Sequence, residues 1–330
     1  MLRTLLTWLV LSIATAADET GDRTQRWEAV RLPDESSVHR MAWVKVEYRP
    51  KSPGTVEAVP AGSAGSARPS MEGRLKEYRH KWLLVAASLH GRSDGSGAPA
   101  GSRILAYQPP AQLDDRAAKW STQLIAESAD ETHDFHTTQG STDGSGVTSG
   151  LFIASRAGVK HYFHRMDERW FIRAWPEDRI GAEGVGEVCS SHSGRGQGFL
   201  ATIEPVHGNR LVVYAADTQL GGPLYEPGRM LTDRLAGGSA LECDDLLDTG
   251  SDQIVVGWRG NPSQAERGGG IKIFTSLDPS RQQWRESTID DGAMACHDLQ
   301  LADLNGDGKL DIVACGHATR NVKVYLNESY

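Results

Sequence analysis

Histidine recurs in this chain at two kinds of place, the start of a short apolar run and the end of the run that follows it. His39, His133 and His297 open such runs, and Glu187 and Ser239 stand at the same point of two others. His90, His207 and His317 close the following runs, where Trp258-Arg259 fills the equivalent place. An imidazole gives or takes a proton near neutral pH and also ligates metals. A convergent set with one carboxylate therefore suits acid–base chemistry on a polar substrate, or the binding of a divalent transition metal or magnesium. Arg92, Asn209, Trp258 and Arg259 lie beside these positions and offer groups to orient a substrate. The pattern takes three plus three, six of the eleven histidines. His80, His136, His161, His164 and His192 fall outside it and are expected to be ordinary packed or surface side chains.

A second chemistry sits in Asp303-Leu304-Asn305-Gly306-Asp307-Gly308-Lys309-Leu310-Asp311. Asp303, Asn305 and Asp307 alternate, glycines let the backbone turn sharply, and Asp311 follows four residues later. Such an oxygen-only set suits a hard cation such as calcium. The flanking runs Leu299–Leu304 and Leu310–Cys315 are of strand length, so the loop is expected to join two antiparallel strands and not the helices of an EF-hand. A plain Asn-Gly and Asp-Gly turn without an ion is the competing reading.

The elements that must carry these groups are strands. Helical periodicity is nearly absent, and β-branched or aromatic runs alternate with Gly, Asp and Ser turns. First runs open at His39, His133, Glu187, Ser239 and His297. Second runs are Trp82–Leu89, Leu151–Arg156, Phe199–Pro205, Gln253–Trp258 and Asp311–His317, and third runs are Arg103–Tyr107, Val159–Phe163, Arg210–Ala215, Gly270–Thr275 and Asn321–Asn327. A fourth run opens near tryptophan at Trp120, Trp170 and Trp284. Four strands per unit at a spacing of roughly 50 residues point to an all-β fold, a β-propeller of five four-stranded blades. The last unit lacks a fourth run, and Trp27–Leu32 has its pattern, so the N-terminal strand is expected to close the ring and hide two sheet edges. In a blade the first strand's start and the second strand's end share one face near the axis, which gathers the six histidines at a funnel and leaves the Asp303–Asp311 loop at the opposite face.

The chain is read as a leader over 1–16, a linker over 17–26 and a single propeller domain over 27–330. Arg3, the apolar Leu5–Ile13 and Ala14-Thr15-Ala16 form an export signal too short to span a membrane, so the mature chain is expected in the periplasm or secreted, with no membrane insertion. Residues 46–79, rich in Ser, Gly, Ala and Pro, read as a flexible insertion in the first blade. A net charge of −8 with no Lys/Arg cluster argues against nucleic acid as a partner. The four cysteines, Cys189, Cys243, Cys296 and Cys315, lie in apolar strand-like runs, which favours buried free thiols over disulfides.

The Asp-Leu-Asn-Gly-Asp-Gly loop with its following Asp311-Ile312-Val313 resembles the FG-GAP or VCBS repeats of extracellular β-propellers. A longer resemblance runs through His39-Arg40, Leu89-His90-Gly91-Arg92, His133, Ile203–Asn209, Val256–Asn261 and Ala318–Lys323, which are similar to the propeller part of aldos-2-ulose dehydratases and their bacterial relatives. That resemblance implies a carbon–oxygen lyase acting on a carbohydrate partner, a keto-sugar such as 1,5-anhydrofructose. It implies His133 or Glu187 as base, His39, His90, His207 and His297 as metal ligands or acid, and Arg92, Asn209 and Arg259 orienting hydroxyls. The fungal enzymes carry additional cupin-like domains, and Ser239 stands where other units place His or Glu. A noncatalytic propeller that binds carbohydrate or protein, stiffened by calcium, is the other reading.

Overall fold

The computed structural model describes residues 9–12, 27–30, 40–48, 79–87, 102–110, 119–128, 131–139, 147–165, 168–173, 180–181, 183–191, 198–217, 225–260 and 268–328. His39, His90, Arg92 and residues 49–78 lie outside them. Among the described residues every regular element is a strand.

A two-stranded sheet joins β1 (Leu9–Ser12) to β2 (Trp27–Val30). Five sheets follow in chain order, each an antiparallel meander. The first holds β3 (Arg40–Tyr48), β4 (Arg79–Ala87), β5 (Ser102–Gln108) and β6 (Ser121–Ser128). The second holds β7 (Thr132–Gln139), β8 (Val147–Ser155), β9 (Gly158–Arg165) and β10 (Trp170–Arg173). The third holds β11 (Glu187–Ser190), β12 (Phe199–Glu204), β13 (Arg210–Ala215) and β14 (Arg229–Thr232). The fourth holds β15 (Gly238–Asp244), β16 (Gln253–Gly260), β17 (Gly268–Ser276) and β18 (Trp284–Asp291). The fifth holds β19 (Cys296–Ala302), β20 (Asp311–Gly316) and β21 (Asn321–Tyr325). This repeated four-stranded unit is that of a β-propeller-like fold.

The chain separates into two compact units, Met1–Trp43 with Leu83–Glu131, and Val44–Trp82 with Thr132–Tyr330. The second unit contains the last four sheets, whose first strands stand side by side in the order β7, β11, β15, β19. Its sheets stack face to face. Phe199, Ala201, Ile203, Leu211 and Val213 of the third sheet meet Leu241, Ile254, Val256 and Phe274 of the fourth. The opposite face of the fourth sheet, with Ala240, Val255, Ile271 and Ile273, packs on Leu299, Ile312 and Ala314 of the fifth. Residues alternate between two buried faces, and for that reason every residue of β12 and the first six of β16 are buried without an exposed alternate face.

Three expectations are corrected here. Val44 and Val46 are both buried, and β3 continues to Tyr48, so the first-blade insertion does not begin at 46; the alternation Val44-Lys45-Val46-Glu47 has the period of a half-buried strand. Cys189 and Cys243 are not free thiols. They form a disulfide between β11 and β15, whose Cα atoms stand 5.8 Å apart because consecutive first strands are neighbours, a proximity invisible in the sequence. Cys296 is a buried free thiol as expected, but Cys315 is exposed. Finally, Trp27–Val30 is a strand, but its hydrogen-bonded neighbour is the apolar Leu9–Ser12.

Candidate functional site

The site is built from the strand starts. In β7 the pairing register shifts between Thr132 and Asp134, in β15 between Gly238 and Ala240, and in β19 between Cys296 and Asp298. The residue left over at each shift is His133, Ser239 or His297. A β-bulge kinks the strand and re-aims the extra residue, so these side chains share a position because each is the bulged residue of its sheet. Glu187 opens β11 opposite Ile203, whose carbonyl also accepts the amide of Gly186.

The hairpin between β12 and β13 brings His207 to this row. The structure corrects its register: the residues that directly follow the paired ends of the second strands are His317 and Glu204, and His207 comes three residues after Glu204, from the turn itself. Three contacts fix that turn. Val206 donates its amide to the Gly184 carbonyl at 2.8 Å and forms a parallel bridge with Val185. Gly186 lies so close that a Cβ on it would sit 2.5 Å from the Val206 carbonyl carbon and oxygen and 2.8 Å from the His207 nitrogen. Below the turn, Glu204 Oε1 accepts from the hydroxyls of Thr202 and Tyr214, both at 2.7 Å, and the Tyr214 oxygen accepts the Gly181 amide at 3.1 Å. Burial and the adjacent Glu204 carboxylate push the Tyr214 hydroxyl far above its ordinary pKa, so it stays a donor.

Because backbone presses on backbone at Gly186 and Val206, the next side chains meet. Glu187 Oε1 stands 3.4 Å from His207 Nδ1. The carboxylate is nearly buried, with 9% of its side chain exposed against 28% for the imidazole. The His133 ring meets the His207 ring edge to face with centroids 5.2 Å apart. A carboxylate facing Nδ1 favours the tautomer with a proton there. His133, Glu187 and His207 therefore come together as one cluster of titratable side chains at the junction of the second and third sheets. His297 and His317 form a separate exposed pair on the fifth sheet, with ring centroids 5.9 Å apart.

Other expected site residues serve the scaffold. Trp258, expected to face a substrate, is 7% exposed in the core between the third and fourth sheets, and its Nε1 donates to the Gly268 carbonyl at 2.8 Å. Its ring covers Gly270, where a Cβ would lie 2.6 Å from it. Asn209 donates through Nδ2 to the Asp233 carbonyl, and Arg259 donates through Nε to the Gly237 carbonyl, which ties each to the segment leading into β15. Ser239 donates its hydroxyl to the Cys296 carbonyl at 2.8 Å and so links the fourth sheet to the fifth. The histidines outside the pattern pack as expected where they are described: His161 stacks on Phe152, and His164 is buried against Trp170.

The acidic loop closes on its own backbone. Asp303 accepts the amides of Gly306 and Gly308, Asn305 accepts that of Asp307, and Asp307 accepts that of Lys309. The Asn305 amide also donates to Asp307 Oδ2 at 3.1 Å. Asp311 is fully buried and accepts the amides of Leu304 and Asn327. Among the described residues no three His, Cys, Asp or Glu side chains are disposed to hold a metal ion, so neither this loop nor the cluster of His133, Glu187 and His207 has the geometry of a formed metal centre.

The chain matches no known protein family and no curated protein. Among solved structures, the crystal structure of BBS1N in complex with ARL6DN, soaked with lead, aligns over 76% of this chain and 90% of that one at 7% identity, with a TM-score of 0.32. A likeness of that size carries no argument about this chain.

Proposed function

We propose that this is an exported sugar dehydratase acting on keto-sugars such as 1,5-anhydrofructose, with His133, Glu187 and His207 as its acid–base groups. The observation that carries the reading is the convergence of two imidazoles and one nearly buried carboxylate from two sheets onto one point. A hydrogen on the carbon next to a ketone is acidic enough for such a base. As the base takes that proton, the electron pair moves toward the carbonyl and expels a hydroxyl from the neighbouring carbon. A second protonated group delivers a proton to the departing oxygen, and water and a conjugated enone remain. His133 and His207, whose rings meet edge to face, can divide the two tasks. No step is routed through a metal.

The relationship to aldos-2-ulose dehydratases and to FG-GAP or VCBS repeats, and export to the periplasm or medium, belong to this same proposal. So does calcium at Asp303–Asp311, whose donors are all oxygens, the chemistry of a calcium site. The carboxylates there already accept the loop's own amides, so a bound ion would add little to the stability of the β19–β20 hairpin. A noncatalytic carbohydrate platform would call for exposed aromatic rings, and the burial of Trp258 removes the aromatic that sequence reading placed there.

The test is ultraviolet absorbance of the purified protein mixed with a panel of keto-sugars, with and without chelator so that metal dependence is read at once. Growth of enone absorbance is expected, and Glu187→Gln and His207→Asn should each cut the rate by about 10²-fold or more while the protein stays folded. Folded wild-type protein that produces no enone from any member of the panel would turn the reading to a binding propeller.

A further inference from the structure

The inner edge of a propeller's first strand has no ladder partner, so its amides need acceptors from elsewhere. In β11 the inward amide next to Glu187 is that of Val188. It donates to Asp134 Oδ2 at 3.2 Å. Asp134 follows the bulged His133 directly, and it is 1% exposed. One buried carboxylate thus sits one residue after His133 and grips the backbone one residue after Glu187. Burying a carboxylate is costly unless its hydrogen bonds repay the lost hydration, and the fourth sheet is joined to the fifth without charge, where the Ser239 hydroxyl donates to the Cys296 carbonyl.

We propose that Asp134 is a positioning residue of the site. It clamps the start of β7 to the start of β11 and thereby sets the separation of the His133 ring from the Glu187–His207 pair. It touches no substrate; it acts through the residues on either side of the clamp. The inference rests on the acid–base reading of that cluster for its catalytic consequence, but the clamp itself is measurable without turnover.

Asp134→Asn keeps a side-chain oxygen for the Val188 amide, Asp134→Ala removes it, and Asp134→Glu displaces it by one methylene. Amide exchange at Val188 and the nuclear Overhauser contact between the His133 and His207 rings are followed beside keto-sugar kinetics. In Asp134→Ala, faster Val188 exchange, a weakened ring contact and a kcat lowered by about 10- to 100-fold with KM within about twofold are expected, since an ångström of misplacement costs that much. Asp134→Asn should restore kcat to within about threefold. If Asp134→Ala does not fold, Asp134→Glu takes its place with the same expected losses. Unchanged exchange and ring contact would overturn the clamp whether or not the protein turns over sugar. A lost clamp with wild-type kcat would overturn the positioning role. Wild-type protein without turnover but with the predicted exchange and ring changes would leave the clamp standing and remove the enzyme reading alone.

Discussion

At the scale of single residues, buried acids in this chain act as acceptors that join one strand to the next sheet. Asp290, second to last in the fourth strand of its sheet, accepts the amides of Ala293 and Met294, the ammonium of Lys323 at 2.8 Å and the hydroxyl of Tyr325 at 2.7 Å. Burial alone would raise its pKa, but hydrogen bonds from Lys323, Tyr325 and Ala293 outweigh that and hold it below the ordinary carboxylate value of 3.8. A carboxylate whose folded value is depressed stabilises above its unfolded pKa, and that stability is lost as pH falls through the folded value. Asp290→Asn should therefore cost about 1.5–3 kcal/mol near pH 7. The gap between variant and wild type should shrink toward zero in urea melts carried below pH 3.8. A gap independent of pH would mean that the fit of the side chain, and not its charge, is what matters. Sequence reading found the row His133, Glu187, Ser239 and His297, because a bulge recurs at the same step of β7, β15 and β19 and Glu187 opens β11 at the corresponding place. It missed Asp134, Glu204 and Asp290, because an acid's value here depends on donors from other strands and segments, Val188 for Asp134, Tyr214 for Glu204 and Lys323 with Tyr325 for Asp290, which no local pattern records.

At the scale of elements, the strand runs were legible with ends off by up to four residues, as at β3, β4 and β8. Arg210–Ala215 and the start of β18 at Trp284 fall where the apolar runs place them. The strand β14 was not read, since Arg229-Met230-Leu231-Thr232 lacks the opening tryptophan of its counterparts. The acidic loop shows why a motif can be found and its use still be open. In the fourth sheet Asp245 accepts the amides of Thr249 and Gly250, and Gln253 accepts that of Leu247. That loop repeats the capping of Asp303 and Asp311 with a neutral amide in the second role, so the hairpin can be closed without three carboxylates. Calcium at millimolar concentration is accordingly expected to raise Tm by no more than about 2 °C, a free energy below about 1 kcal/mol. Asp303→Ala, which strips the caps from Gly306 and Gly308, should cost about 1 kcal/mol with or without the ion. A calcium-induced rise near 10 °C that vanishes in Asp303→Ala would show instead that the carboxylates re-aim around an ion.

At the scale of the whole molecule, stacked sheets place first strands side by side, and that arrangement turns two distant cysteines into neighbours. Cys189 and Cys243 are separated by 54 residues and joined across β11 and β15. Reasoning from composition favoured free thiols because both lie in apolar strands; the disulfide forms because those strands are inner strands of consecutive sheets. Closing a loop of that length removes chain entropy from the unfolded state equivalent to about 4 kcal/mol. Cys296 follows a different logic: burial first, then the nearby Cys315, Asp298, Asp290 and Glu187, push its thiol up to about 12. A thiol held protonated is a poor nucleophile, so it is not expected to exchange with the disulfide. Of four cysteines, two are then bonded, and a thiol titration of unreduced, denatured protein should count 4 − 2 = 2. Cys189→Ser with Cys243→Ser should lose about 2–4 kcal/mol and leave the acid–base cluster assembled, because Asp134 and the Gly186–Val206 contact hold it from the other side of β11. If the double variant keeps full stability while losing the contact between His133 and His207, the disulfide serves the site and not the stack, and the two jobs separated here belong to one bond.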